Sequence, residues 1–332
     1  SASGEMHTAN VIGPRGSPVS TEFGLVPLKR LPIAARKRLD LPDELHDDAQ
    51  IAIVEMAAAS GLALLTQDQR NPWLTSSSGT GELLQKAAAL GANVILLGIG
   101  GSATNDLGLG ALNALGLLFH SAHGEAVFPP VPESWPTITE IRGKIMPGFP
   151  PIRIACDVTN PLLGPNGCAA IYGPQKGLKA SDLLAMEERS RRIAQLLCAH
   201  CGKPESLMEI PGAGAAGGIA FGLLAATDAQ VLSGSTLMSD WLDLPARIHS
   251  ADVVLTGEGR FDESSAQGKG PGAILGLAAA AGRPAHVFAG RISSNLQTSA
   301  ALHAITPEDW PLEKALRSTA DLLSAAVRKQ FR

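Results

Sequence analysis

The chain has 332 residues and a formal net charge of −4, with 45% hydrophobic, 17% charged and only 4% aromatic residues. This composition is typical of an ordinary α/β enzyme and excludes a disordered or fibrous chain, and the length favours two domains over one. The negative charge, without a long run of basic residues, disfavours nucleic acid as a partner.

The first part of the chain favours an antiparallel arrangement. Residues 8–27 and 49–56 show the alternation of short strands, and Gly13-Pro14-Arg15-Gly16 has the composition of a turn that joins the first pair. The proline-rich stretch 27–42 predicts a surface loop or a short helix.

A parallel crossover unit is expected next. The small polar loop 75–81 leads into a predicted helix at 82–90, which Gly91 ends. A strand is expected at 94–97 and a further helix at 105–117. Strand, helix and strand in this order predict parallel pairing.

The middle of the chain contains an irregular stretch and a clear helix. Prolines at 129–151 and the lack of periodicity predict an excursion over the surface or a cover for the site. A strand follows at 152–156, and 181–198 is an amphipathic helix. The glycine-rich run 211–218 fits either a close-packed helix entry or a phosphate-contacting turn.

The last third contains a second crossover unit. We expect a strand at 253–256, an acidic turn at 257–262, a helix at 271–281 and a strand at 286–289. Ligands of open α/β sheets bind at the carboxyl ends of the strands, which makes this acidic turn a candidate site.

The stretch 95–110 has the features of a phosphate site, because an apolar strand runs into a glycine-rich turn with hydroxyl, amide and carboxylate groups. We expect the turn to bind the phosphates of a nucleotide through Gly98, Gly100, Gly101, Ser102, Thr104, Asn105 and Asp106. The same turn satisfies a loose dinucleotide fingerprint, which keeps a nicotinamide cofactor open as an alternative.

Acidic and basic residues in later turns supply the other groups that phosphoryl transfer needs. The catalytic candidates are Asp157, Glu258, Arg260, Asp262 and Lys269, and Asp157 and Glu258 are also the candidate Mg²⁺ ligands. Lys176 could offset phosphate charge as well. Each acid has a structural alternative, because an aspartate after a strand often caps a helix or closes a turn. Gly268-Lys269 lacks the spacing of a P-loop.

Four long motifs in order closely resemble the glycerate kinase family: GIGGSATND at 98–106, CDVTNPLLGPNGCAAIYGPQKG at 156–177, PGAGAAGG at 211–218 and LTGEGRFDESSAQGKG at 255–270. The resemblance runs from about Gly13 to the carboxyl end. It implies a kinase that uses ATP and Mg²⁺ to phosphorylate D-glycerate, a small organic acid, to 2-phosphoglycerate. The choice between the 2- and 3-hydroxyl and the division of base and metal roles among the acids stay open.

One departure from the family concerns the beginning of the chain. Members begin with a strand carrying an Ala-Pro-Asp-Ser-Phe-Lys-type motif and an Asp-Gly-Gly-Glu-Gly segment, and neither occurs here. We therefore expect an amino-terminal truncation, which keeps a non-catalytic binding remnant open as a further alternative to the kinase and to a 2-hydroxy-acid oxidoreductase.

The predicted fold is α/β with two domains. Residues 8–246 would form a larger mixed α/β domain that carries the glycine loop, and 247–332 the carboxyl-terminal part of a discontinuous, incomplete Rossmann-like domain. Ser102 and Glu258 are expected to face one cleft.

The sequence also predicts a cytoplasmic location. No apolar run reaches the roughly 18 residues of a membrane span, and nothing at Ser1 resembles a signal peptide. The four cysteines are sparse and irregular, which fits reduced thiols. The expected partner is the small-molecule substrate, without a membrane or nucleic acid, and the oligomeric state is open.

Overall fold

A mixed sheet organises the first and larger part of the computed structural model, which describes residues 4–41, 45–266, 270–294 and 296–331. Contacts divide the chain into two compact units, Ser1–Leu237 and Met238–Arg332. The α/β class is confirmed. The predicted division at 246/247 and its discontinuous character stay predictions.

The strands of the first unit form a six-stranded sheet and a two-stranded ribbon within the described residues. They are β1 (Glu5–Ile12), β2 (Pro18–Pro27), β3 (Gln50–Glu55), β4 (Ala92–Gly98), β5 (Leu117–Ser121), β6 (Ile138–Gly143), β7 (Ile152–Ala155) and β8 (Gln230–Leu232). The main sheet has the order β1-β2-β3-β4-β7-β8. Its first three strands pair antiparallel and β3, β4, β7 and β8 pair parallel, so both predicted arrangements are confirmed.

Helices connect these strands and share the core with them. They are α1 (Ile33–Arg38), α2 (Met56–Ser60), α3 (Ser78–Ala89), α4 (Leu109–Ala114), α5 (Cys168–Tyr172), α6 (Leu183–Cys201), α7 (Ala215–Ala226) and α8 (Gly234–Leu242). Strand β4 is buried along most of its length, which explains its near-continuous apolar sequence. Burial of α3, α4 and α7 residues in the same hydrophobic core fixes the loops that leave β4.

The second unit contains a three-stranded parallel sheet of order β11-β10-β9. Its elements are α9 (Leu244–Ser250), β9 (Val254–Phe261), α10 (Glu263–Ala266), α11 (Pro271–Ala280), β10 (Ala285–Ile292), β11 (Ala301–Ala304), α12 (Leu312–Arg317) and α13 (Thr319–Gln330). None of the helices in the described ranges is both long and apolar enough to cross a bilayer.

Three predicted segments were wrong in type or extent in the first unit. Helix α3 begins at Ser78, so part of the predicted polar loop is helical. Helix α4 begins only at Leu109, because the preceding chain turns through positive φ at Leu107 and Gly108. The stretch 129–151 is not a featureless excursion, since it contains β6 and the fully buried Trp135.

The predicted acidic turn is the correction in the second unit. Strand β9 continues through Glu258 and Arg260 to Phe261, which pairs with Ile292. The pairing provides backbone partners for residues whose glycines and charges suggest a turn, and the fully buried Phe261 anchors the end of the strand. Strand β10 likewise extends beyond the predicted 286–289 and includes Arg291.

Candidate functional site

Four parallel strands of the first unit end in one row at the candidate site. Glu55 pairs with Gly98, Gly98 with Ala155, and Ala155 with Leu232. The segments that follow these residues therefore leave the sheet at the same edge, which is where ligands bind in open α/β sheets.

The glycine loop after β4 has an exposed rim. Gly100 and Gly101 are exposed, and Gly101 has a φ of 70° that favours glycine. The loop is fixed on one side because the Leu62 N–H donates to the Gly101 carbonyl at 2.8 Å and the Ala103 N–H to the Ser60 carbonyl at 2.9 Å. A rigid turn with open backbone is the arrangement that anion binding requires.

The inner half of the loop is enclosed. Thr104, Asn105 and Asp106 have no exposed surface. The Asp106 carboxylate accepts hydrogen bonds from Ser77 N–H (2.7 Å), Ser77 Oγ (2.8 Å), and the N–H groups of Gly108 and Gly110 (both 3.2 Å). Burial raises the pKa of this carboxyl, and the hydrogen bonds oppose that rise. Asp106 holds the loop against α3 and α4 here, and its contact with a nucleotide stays a prediction.

Lys176 lies behind the loop with 1% of its surface exposed. Its ammonium donates to Ser102 Oγ at 2.8 Å and to the Thr104 carbonyl at 2.6 Å. Burial lowers its pKa to about 8, while Cys168 and Asp106 act in the opposite direction. The sequence marked Lys176 as a possible cation but not as a member of the site.

The second glycine run supports the first. An added Cβ at Gly217 would lie 1.9 Å from the Thr104 carbonyl oxygen, and the Leu107 N–H donates to the Gly217 carbonyl at 2.9 Å. Gly217 and its neighbours adopt positive φ within α7. These contacts favour the close-packing interpretation of 211–218.

Asp157 follows β7 and is exposed. Its carboxylate accepts from the Ser235 N–H (2.9 Å at Oδ2), from Ser235 Oγ and from Ser233 Oγ (both 2.9 Å at Oδ1). The residue therefore caps the amino end of α8. The carboxylate is also open to solvent and thus accessible to a ligand. Its catalytic and Mg²⁺ roles stay predictions.

Glu55 is an acid that the sequence reasoning missed. Its carboxylate lies against Gly98, where an added Cβ would be 2.6 Å from Oε2, and desolvation raises its pKa. The available signal was an acid at the carboxyl end of the apolar strand 50–55, next to the glycine loop in a parallel sheet.

The remaining predicted residues belong to the second unit. Glu258 and Arg260 line a cavity of about 980 Å³ together with Arg291 and apolar side chains of β9, β10, α12 and α13. Within the described part of the chain, Glu258 Oε1 is buried without a hydrogen-bond partner. Asp262 lies 3.9 Å from the Arg260 guanidinium, and Lys269 lies outside the described residues. Ser102 and Glu258 are in different units, so their shared cleft stays a prediction.

Two chemical alternatives can be compared with this geometry. No cluster of three or more metal-ligating side chains occurs among the residues described, yet Mg²⁺ needs only one or two carboxylates when phosphate oxygens complete its shell. Exposed Asp157 fits that requirement. A dinucleotide fingerprint requires its last small residue at a helix entry, whereas α4 begins six residues after Ala103.

Comparison with known proteins identifies the family. The model of the glycerate kinase family matches residues 1–332. A glycerate kinase of Halalkalibacterium halodurans is 34% identical over 98% of this chain and 82% of that protein, and a glycerate 2-kinase of Escherichia coli is 35% identical over 85% of this chain and 75% of that protein. The crystal structure described as a glycerate kinase 2 from Salmonella typhimurium LT2 has a TM-score of 0.71 and 31% identity, covering 99% of this chain and 83% of that one. With a family model matched along its whole length and relatives above 30% identity, this chain belongs to the glycerate kinase family.

Proposed function

We propose that this chain transfers the terminal phosphoryl group of ATP to the 2-hydroxyl of D-glycerate. The chain is a kinase by its family, and the relatives named glycerate kinase and glycerate 2-kinase support glycerate and its 2-hydroxyl. The observation that carries the proposal is the exposed backbone of Gly100 and Gly101 beside a buried ammonium, at the carboxyl edge of parallel strands. Phosphoryl transfer asks a protein mainly for such positioning and charge.

The residues divide the work by their placement. The Gly100–Gly101 rim would donate backbone N–H groups to phosphate oxygens. Asp157, and Glu258 of the second unit, would supply carboxylate ligands or a base for the substrate hydroxyl, while Arg260 and Lys269 would offset negative charge. Mg²⁺, when bound with the nucleotide, neutralises charge on the phosphates. We include Glu55 as a further candidate carboxylate, because it lies beside Gly98 at the same edge.

Amide substitutions test the two principal acids. Asp157→Asn and Glu258→Gln keep shape and remove charge, and each should lower glycerate-dependent ATP turnover by about 10²-fold or more. Ser235→Ala is the matched control for Asp157, because it weakens the cap of α8 and leaves the carboxylate in place. Glu263→Gln, an exposed acid of α10, is the control for Glu258.

The kinetic outcome separates chemistry from capping. If Asp157→Asn and Ser235→Ala lower the unfolding midpoint alike and both keep turnover, Asp157 is a capping residue only. Near-normal turnover of Glu258→Gln across Mg²⁺ concentrations would remove Glu258 from the site. Phosphorus and proton NMR of the product distinguish 2-phosphoglycerate from 3-phosphoglycerate.

Ligand binding decides between the remaining functional alternatives. Protection against thermal unfolding by ATP with Mg²⁺, but not by NADH, is expected of the kinase, and the reverse would favour a 2-hydroxy-acid oxidoreductase. A melting shift without turnover would indicate a binding remnant. None of the four cysteines, all of which lie in the described ranges, forms a disulfide, which supports the proposed reducing, cytoplasmic setting.

A further inference from the structure

The ammonium of Lys176 is buried, and among the described residues no carboxylate is in direct contact with it. Its side chain is 1% exposed, and no carboxylate of the described ranges forms an ion pair with it, because both of its hydrogen-bond acceptors are neutral oxygens. Buried charges are ordinarily paired, since the desolvation of an isolated ion is costly. Within the described residues the Lys176 ammonium therefore has no anion in direct contact, and the Asp106 carboxylate acts on it without a hydrogen bond.

The donor and the acceptor of the hydrogen bond between Lys176 and Ser102 can be assigned. An ammonium has three donors and no acceptor, so Ser102 Oγ must accept from Lys176 Nζ at 2.8 Å. The hydroxyl proton of Ser102 is then available to another acceptor. Ser102 follows the exposed Gly101 directly in the loop. An acceptor for the Ser102 hydroxyl proton would therefore lie at the exposed rim of the loop.

The titratable groups around Lys176 do not pair directly with its ammonium. Burial raises the pKa of the Cys168 thiol to about 12, which keeps it neutral. The Asp106 carboxylate is occupied by four hydrogen bonds from Ser77, Gly108 and Gly110. The Thr104 hydroxyl and the Asn105 amide, both fully buried, have no hydrogen bond of ordinary geometry within the described structure.

We propose that Lys176 is a positioning residue of the glycine loop. Its ammonium orients the Ser102 hydroxyl as a donor, and the phosphates of a bound nucleotide balance its positive charge. This inference rests on the proposed function and specifies which cation serves the loop in place of a P-loop lysine. It requires no movement of Lys176 to the surface, because the residue acts through Ser102 and the Thr104 carbonyl.

A measurable consequence is the coupling of nucleotide binding to protonation of Lys176. With a pKa of about 8 in the free protein, the ammonium loses its proton as the pH rises above 8, whereas a bound anion favours the protonated form. The titratable groups that act on Lys176 are Cys168 and Asp106, and Glu187 acts in turn on Cys168. Wild-type affinity for MgATP should fall by up to about tenfold per pH unit above pH 8.

The test compares MgATP with adenosine, which carries no phosphate, by isothermal titration calorimetry between pH 7.5 and 9.5. Lys176→Met should weaken MgATP binding at pH 7.5 by about 10- to 100-fold, abolish the fall above pH 8 and leave adenosine unchanged. Lys176→Arg, which stays charged, should bind without that fall. Lys179→Met, an exposed lysine three residues away, should match the wild type.

The wild-type protein also provides a test that needs no substitution. Titration at pH 8.5 in two buffers of different ionisation enthalpy should show proton uptake on binding MgATP. Equal affinity of Lys176→Met and wild type for MgATP, or a wild-type affinity that is flat with no proton uptake, would overturn the role of Lys176. Failure of the wild type to bind MgATP at any pH would instead overturn the proposed function and, with it, this inference.

Discussion

Replacing Asp106 with asparagine should destabilise the first unit by about 2–3 kcal/mol. The carboxylate accepts three hydrogen bonds at Oδ2, from Ser77 N–H, Ser77 Oγ and Gly110 N–H, and one at Oδ1, from Gly108 N–H. An asparagine that keeps its oxygen at the Oδ2 position directs its NH₂ group at the Gly108 N–H, and a buried donor left unpaired costs about 1–3 kcal/mol. The other three bonds weaken because their acceptor is no longer charged, although the loss of a buried charge partly offsets this.

Urea denaturation monitored by circular dichroism measures the effect, with hydrogen exchange across 106–112 as the local readout. Asp106→Ala removes the carboxylate that accepts all four hydrogen bonds and should cost more, about 4 kcal/mol. Asp48→Asn is the matched control, because Asp48 is an exposed partner of Lys29 and its loss should change the midpoint little. If Asp106→Asn and Asp48→Asn had the same midpoint, the Asp106 hydrogen bonds would not hold the loop.

Two further predictions concern the supports of the loop. Gly217→Ala should lower the unfolding free energy by about 1–3 kcal/mol and increase hydrogen exchange at 98–106, because its Cβ would lie 1.9 Å from the Thr104 carbonyl oxygen. Gly282→Ala is the control for backbone strain, because Gly282 also has positive φ but has open space around it. Equal effects in both variants would contradict the crowding argument. The pKa of Lys176 is about 8 in the folded protein against an ordinary value of 10.5, so between these pH values the unfolded chain binds more protons and stability rises with pH. Denaturation without ligand should therefore show the wild type gaining about 3 kcal/mol relative to Lys176→Met over this window. Stability curves of the two proteins that stay parallel with pH would disprove the buried ammonium.

The sequence predicted five of the six strands of the main sheet and the location of the glycine loop, because these depend on local patterns. An apolar run into glycines is visible in any window that contains 95–110. The division of the loop into an exposed rim and an enclosed inner half was not predictable in this way. It depends on Ser77 and Gly217, which lie far away in sequence and carry no sign of the contact.

The roles of the acidic residues could not be predicted for the same reason, because they depend on contacts that are distant in sequence. A carboxylate after a strand has the same sequence signature whether it binds a ligand or caps a helix, and Asp157 shows the capping contact through Ser235. Glu258 was placed in a turn because Gly257 and Gly259 are poor strand formers. Pairing of β9 with β10 overrides that preference, as tertiary contacts often do.

The spacing of the loop's supports along the chain has a consequence for synthesis on the ribosome. Gly98 emerges long before Lys176 and Gly217, the residues that fix the inner half of the loop. At typical elongation rates of about 5–20 residues per second, roughly 6–24 s pass between the synthesis of Gly98 and that of Gly217. During that interval the nascent chain carries strand β4 next to an unsupported loop, so chaperone contacts with the growing polypeptide are expected to concentrate there and to end once residue 217 has left the exit tunnel.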